Sequence, residues 1–231
     1  LNIAFSLSIL EFFLHHPVQG FTLHFEMVPD RLPEALRSVL QRFPPGMVQL
    51  EIGIQTFNDL VSKRIDRPQR TDRIVENLVF LRQETNMYLH VDLIAGLPGE
   101  SIASFAEGFD RLVALAPHEI QVGILKRLKG TPIVACGQEF EIKYSPLPPF
   151  EVLSTASVSF VELQTMKRFA KYWEMVSNQG QFQQTAPLIW RDAASAFWAF
   201  DAFSSWLFER VGRTSHINLL RLAVYLFDYL V

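Results

Sequence analysis

Cysteine is almost missing from this chain. Cys136 stands alone among 231 residues, which excludes an internal disulfide framework and a cysteine-rich structural zinc site. Dense positive charge is missing too: 21 Lys and Arg against 24 Asp and Glu give a formal net charge of −3, with no run able to capture nucleic acid electrostatically. No stretch offers the roughly 20 uncharged apolar residues of a membrane helix, because Arg191, Asp192 and Asp201 interrupt one late apolar segment and Arg221 and Asp228 the other. Leu1 to Leu14 lacks a positive leader and a small-residue cleavage site, and Glu11 breaks it. Repeats, low-complexity tracts, Ser/His/Asp sets and Walker-type loops are absent, and the six histidines lack metal-ligand spacing. What remains is a globular protein, 49% hydrophobic, with enough chain for one large domain or two small ones. A cytoplasmic location is expected, without membrane or nucleic-acid partners. The chain enters apolar sequence at once, as a piece trimmed from a longer protein would.

Periodicity divides the chain into two styles. Leu1 to His15 reads as helix, and Phe21 to Met27 alternates as a strand until Pro29-Asp30. A helix is predicted from Arg31 to Phe43, carried by Leu36, Val39 and Leu40 and stopped by Pro44-Pro45-Gly46. Met47 to Ile54 is the next strand. Asn58 caps a short helix to about Ile65, and Thr71 caps a longer one with the stripe Ile74, Leu78 and Leu81. Tyr88 to Ala95 is a strand, Ser101 caps a helix that Pro117 ends, and Glu119 to Leu125 is a fourth strand. Four alternations with long crossovers demand parallel pairing and right-handed connections.

Four strands cannot close a barrel. The expected fold class is therefore α/β, an incomplete parallel (β/α) barrel over residues 1–135, whose bare edge at Phe21 to Met27 invites self-association. Residues 136–150, with Ser145-Pro146-Leu147-Pro148-Pro149, read as a proline-rich linker. Residues 151–231 read as an all-helical C-terminal domain, with helices from Glu151 to about Asn178, Ala186 to Val211 and His216 to Val231. Its aromatic residues form a broad apolar face suited to a packed core.

Two runs carry chemistry, Glu51-Ile52-Gly53-Ile54-Gln55-Thr56 and His90-Val91-Asp92-Leu93-Ile94-Ala95-Gly96-Leu97-Pro98-Gly99-Glu100. Each is an apolar strand that delivers a polar side chain near its end and then breaks toward a helix, which lines a ligand site at the carboxyl mouth of a parallel sheet. Asp92 is the anomaly, because a carboxylate in an apolar strand needs a partner or a ligand. Its partner is a nearby Arg, a helix start or a bound molecule. The Gln55 amide, late on its strand, bonds neighbouring backbone or a ligand. Glu26 and Arg67, by themselves, read as a solvated strand-end carboxylate and a surface Arg before Pro68. His90, two residues from Asp92, can share its face.

Taken in order, FEMVPD, EIGIQT, IDRPQ, HVDLIAGLPGES and KRLKGTP make Phe21 to Pro132 resemble the second half of a radical SAM core, especially its coproporphyrinogen-oxidase-like and cobalamin-associated branches. The resemblance implies strands three to six of a six-stranded partial barrel. It further implies that Gln55 and Asp92 hold the ribose of S-adenosylmethionine, that Arg67 forks onto its methionine carboxylate, and that Glu26 meets its ammonium or a hydroxyl. The backbone at Ile94 would lie along adenine, with Gly96 allowing close approach. The tail from Pro146, with SPLPPFEVLST, resembles the C-terminal domain of radical SAM proteins that carry an upstream cobalamin-binding domain.

The departure from that family is the missing CxxxCxxC. Three thiolates are needed to hold a [4Fe–4S] cluster, so no metal ligand and no catalytic residue is assigned here, and Cys136 reads as a small packing residue. The implied function is a fragment of a radical SAM Fe–S oxidoreductase. The intact enzyme would cleave S-adenosylmethionine to a 5′-deoxyadenosyl radical that acts on a small-molecule substrate, and the fragment alone would be inactive. Its partner would be an upstream part of the same polypeptide that carries the cluster and, in the cobalamin branch, that cofactor. Two competing readings are a non-catalytic binding or assembly module and a tRNA-modifying methylthiotransferase-like enzyme. The second lacks support in the tail, where eight Lys and Arg face nine acids from Gln138 onward.

Overall fold

A computed structural model describes residues 2–16, 20–131, 133 and 136–231. Leu1, Pro132 at the end of KRLKGTP and the expected domain limit at 135 lie outside them. The first half runs α1 (Ile3–His15), β1 (Leu23–Met27), α2 (Glu34–Leu40), β2 (Val48–Gln55), α3 (Asp59–Arg64), α4 (Thr71–Glu84), β3 (Tyr88–Ala95), α5 (Ile102–Leu115) and β4 (Glu119–Ile124). The four strands form one sheet in the order β1-β2-β3-β4, every pair parallel. Asn58 and Ser101 cap their helices as expected, accepting from Leu60 and Val61 and from Ser104. Thr71 does not. The cap position of α4 is Arg70, without a side-chain bond, and the Thr71 hydroxyl donates instead to Asp59.

Alternation gives the sheet two unlike faces. Leu50, Ile52 and Ile54 of β2 and Leu89, Val91 and Leu93 of β3 are buried in one cluster with Ile74, Leu78 and Phe109 from the helices. Gln49, Glu51, Gly53 and Gln55 of β2, with Tyr88, His90, Asp92 and Ile94 of β3, turn to the other face. Across the four strands, Glu26, Glu51, His90 and Glu119 stand in register in one row, and Gly53, Asp92 and Gln121 stand in the next row toward the carboxyl ends.

The proline-rich stretch forms the turn of a small hairpin, β5 (Lys143–Tyr144) against β6 (Val152–Ser154). The linker expectation missed this pairing, and the predicted helix at Glu151 begins only at Phe160, where Ser159 and Glu162 make a reciprocal capping box. α6 (Phe160–Trp173) continues into a π-helical turn (Glu174–Asn178), followed by a 3₁₀ turn (Ala186–Ile189), α7 (Ala196–Val211) and α8 (Leu219–Leu230). These helices share the core of the sheet. Phe109 of α5 meets Phe169 and Trp173 of α6 edge-on, with ring centres 5.2 and 4.7 Å apart, and Phe197 of α7 stacks on Phe169. On the free edge of β4, the Asn178 carboxamide accepts from the Ile120 N–H and donates to the Ile120 C=O, at 3.2 and 3.1 Å. A side-chain amide thus occupies the place of a neighbouring strand. β1 has a strand neighbour on one side, as its expected role as the edge requires. Among the described residues, no helix is long and apolar enough to cross a membrane.

Candidate functional site

At the carboxyl ends of β2, β3 and β4 the polar face opens into a cleft of about 1430 Å³. Gln55, Arg67, Asp92 and Ile94 line it from the sheet side, and Gln164, Lys167 and Lys171 of α6 from the other. Four of the six expected site residues therefore meet in one cavity. The loop IDRPQ reaches it because the Gln69 amide donates to the carbonyls of Ile54 and Thr56, pinning the segment after α3 onto the end of β2.

Gly53 is the floor of this corner. A Cβ there would lie 2.8 Å from Gln55 Nε2 and 3.8 Å from an Arg67 guanidinium nitrogen, so both groups sit over the glycine. Gly53 is also the register partner of Asp92 on the adjacent strand, at the inter-strand spacing of about 4.8 Å. The amide and the guanidinium thus lie over Gly53, and Asp92 stands beside it on the neighbouring strand, lining the same cleft. Gln55 reaches it through an irregularity: its φ is +69°, and the β2–β3 register slips between Gly53 and Gln55. A bulge of this kind re-aims a side chain, and a non-glycine residue in the left-handed region costs about 1 kcal/mol or more.

Asp92 has a partner that is neither an Arg nor a helix start. His90 Nε2 donates to its Oδ1 at 3.1 Å, and His90 Nδ1 donates to Glu119 on β4. Tyr88 donates to the other Glu119 oxygen at 2.9 Å. The hydrogen bond to Asp92 is the largest cause that pushes the His90 pKa up to about 9, against the opposing effect of burial. Burial, with the Glu119 bond second, pushes Tyr88 up to about 12. His90 does share the face of Asp92, and the in-register position of Glu119 was the signal by which the sequence could have disclosed the set.

The other two expected residues lie elsewhere. Glu26 is exposed at the edge strand, one row below Asp92 and three strands from Gln121, and does not line the cleft. Gly96 is buried with φ +88°, and a Cβ there would meet Val152 at 2.7 Å and Leu163 at 3.3 Å. Its want of a side chain serves the packing of β6 and α6 against the end of β3. The sequence reading also overlooked Glu100, the last residue of GLPGE. It is 3% exposed, accepts from Thr56 of GIQT, and has its second oxygen without a hydrogen-bond partner. Burial is the main cause that lifts its pKa to about 7. The two motifs are therefore bonded to each other through a carboxyl group behind the site. Cys136 is half-buried, its Sγ 3.8 Å from the Arg64 carbonyl. Among the described residues, no group of three or more His, Cys, Asp and Glu is placed to hold a metal.

A parallel sheet with polar residues gathered at its carboxyl rim is the ligand-binding form of an α/β fold. Known proteins narrow the class. The chain is homologous to oxygen-independent coproporphyrinogen III oxidases: it is 32% identical to that of Cereibacter sphaeroides over 100 residues, 42% of this chain and 21% of that protein. It is 34% identical to the Pseudomonas aeruginosa protein over 80 residues, 33% of this chain and 17% of that one. The oxidase-like HemZ of Bacillus subtilis is 27% identical over 97 residues, 42% of this chain and 19% of that protein.

Solved structures agree on the fold. Coproporphyrinogen III oxidase HemN of Escherichia coli, described as a radical SAM enzyme, superposes with a TM-score of 0.52 at 21% identity, over 76% of this chain and 37% of that one. The radical S-adenosylmethionine methyltransferase TsrM of Kitasatospora setae, solved with tryptophan and a SAM analogue, gives 0.51 at 12% identity over 64% and 31%. Residues 138–230 match a family described as a protein of unknown function (DUF4080). The chain spans about a fifth of the curated relatives' length.

Proposed function

We propose that this chain is the sugar-gripping part of a radical SAM enzyme. The observation that carries the reading is that Gln55 and Arg67 lie over Gly53, the register partner of Asp92, and that all three line one cleft. Asp92 accepts from ribose hydroxyls of S-adenosylmethionine, Gln55 adds a donor and an acceptor, and Arg67 forks onto the methionine carboxylate. Ile94 offers an apolar surface to the adenine. These residues fit the nucleoside; a single cysteine does not fit the cluster. We therefore assign this chain no step through iron and sulfur, and expect it alone neither to cleave S-adenosylmethionine nor to bind it tightly. Asp92, Gln55 and Arg67 would bind and orient S-adenosylmethionine, which would supply its adenosyl group to chemistry completed by groups outside this chain.

The partner in this reading is a cluster-bearing segment of the same polypeptide. The cobalamin-associated branch is favoured by the phrase SPLPPFEVLST. Expression of the encoding open reading frame without oxygen should yield cluster absorbance and 5′-deoxyadenosine. A product that contains three clustered cysteines and gives neither would overturn the enzymatic reading in favour of a binding or assembly module.

A further inference from the structure

We propose that His90 is a positioning residue, which holds the Asp92 carboxylate in the orientation its ligand meets and is itself held by Glu119 and Tyr88. The proposal rests on the reading of Asp92 as a sugar contact. His90 does not line the cleft. It lies one pleat below Asp92 on the same strand face, with the two side chains 17% and 14% exposed. A carboxylate on a strand is free to turn about its terminal torsion. A charged donor on Oδ1 fixes that torsion and leaves Oδ2 and its lone pairs for the cleft. Glu119 fixes the imidazole in turn, and the Tyr88 hydroxyl fixes Glu119. The run Tyr88, Glu119, His90, Asp92 is thus a chain of directed hydrogen bonds that ends at the site.

The charges around His90 favour its protonated form. Asp92 and Tyr88 face it along β3, Glu119 from β4, and Glu51 stands in register on β2. Glu51 is already paired with His24 at 2.9 Å, and the Glu174 charge of the π-helical turn acts on Tyr88. His90 therefore stays protonated through neutral pH, and its grip on Asp92 is lost as pH rises through about 9.

Adenosine, titrated by NMR into the 231-residue chain while the His90 imidazole is followed against pH, tests this. His90→Phe should weaken adenosine about tenfold, the loss of one charge-assisted hydrogen bond. Its weak binding should be flat with pH where the wild type weakens near pH 9. Glu119→Gln touches no ligand, yet should lower the His90 titration midpoint and weaken adenosine several-fold. If His90→Phe binds as the wild type does while Asp92→Asn is weakened, the positioning role is overturned and the sugar contact stands. If Asp92→Asn changes nothing, or the wild type binds no adenosine, the sugar contact falls and this proposal with it. Should His90→Phe not fold, an unchanged midpoint and affinity in Glu119→Gln overturn the proposal.

Discussion

The Gln55 carboxamide lies over Gly53, its Nε2 2.8 Å from where a glycine Cβ would be. Gly53 has no positive φ to forbid a side chain, so Gly53→Ala tests the site without testing the backbone. It should displace the Gln55 amide, leave Arg67 in ordinary contact and weaken adenosine severalfold, with a stability change below about 1 kcal/mol. Chemical denaturation beside ligand titration separates the two effects.

Gly96 is the opposite case. Its positive φ and the close approach of Val152 and Leu163 make Gly96→Ala costly in stability, by about 2–4 kcal/mol. Urea unfolding should show the loss, and adenosine binding to the folded fraction should be unaltered.

Glu100 makes stability depend on pH. Its folded pKa of about 7 lies above the ordinary 4.5, so the folded state keeps a proton that the unfolded state releases. Stability should fall as pH rises from about 4.5 to about 7 and then level off. Glu100→Gln, which keeps an acceptor for Thr56, should remove that slope and raise the melting temperature at pH 8 more than at pH 5. Equal shifts at both pH values would contradict the burial argument.

His90 has the same sign over a different window. Its folded pKa of about 9 lies above 6.5, so its contribution is whole below about pH 6.5 and is lost as pH rises through about 9. The slope of stability between pH 7 and 9 should be shallower in His90→Phe than in the wild type.

Asn178 ties the helical tail to the sheet. Asn178→Ala leaves the buried Ile120 N–H and C=O without their partner and should cost about 2–3 kcal/mol in urea unfolding. Asn178→Asp, which sets a carboxylate oxygen against both the Ile120 carbonyl and Glu174 Oε2, should cost at least as much at neutral pH.

Strands were legible where apolar alternation was strict, as in Tyr88–Ala95, and caps where the side chain was short and polar, as at Asn58 and Ser101. Thr71 misled because its hydroxyl found Asp59 across a turn, a tertiary contact that no local pattern encodes. The hairpin around Pro146 to Pro149 was hidden because its two strands have only 2 and 3 residues and pair across prolines. Asp92 and Gln55 announced themselves as polar residues late in apolar strands. His90 was legible as sharing the Asp92 face, but Glu119 and Glu100 were not, since their meaning depends on register and on which loop covers which. The cleft wall from α6 was obscured by its neighbours, because the same helix places Phe169 and Trp173 in the core and Lys167 and Lys171 in the cleft.

Comparing adenosine with 2′,3′-dideoxyadenosine on this chain asks most directly whether Asp92 and Gln55 hold a sugar. The account predicts that removing both hydroxyls abolishes measurable binding, and that Asp92→Asn shrinks the difference between the two nucleosides. Equal binding of both by the wild type would contradict it.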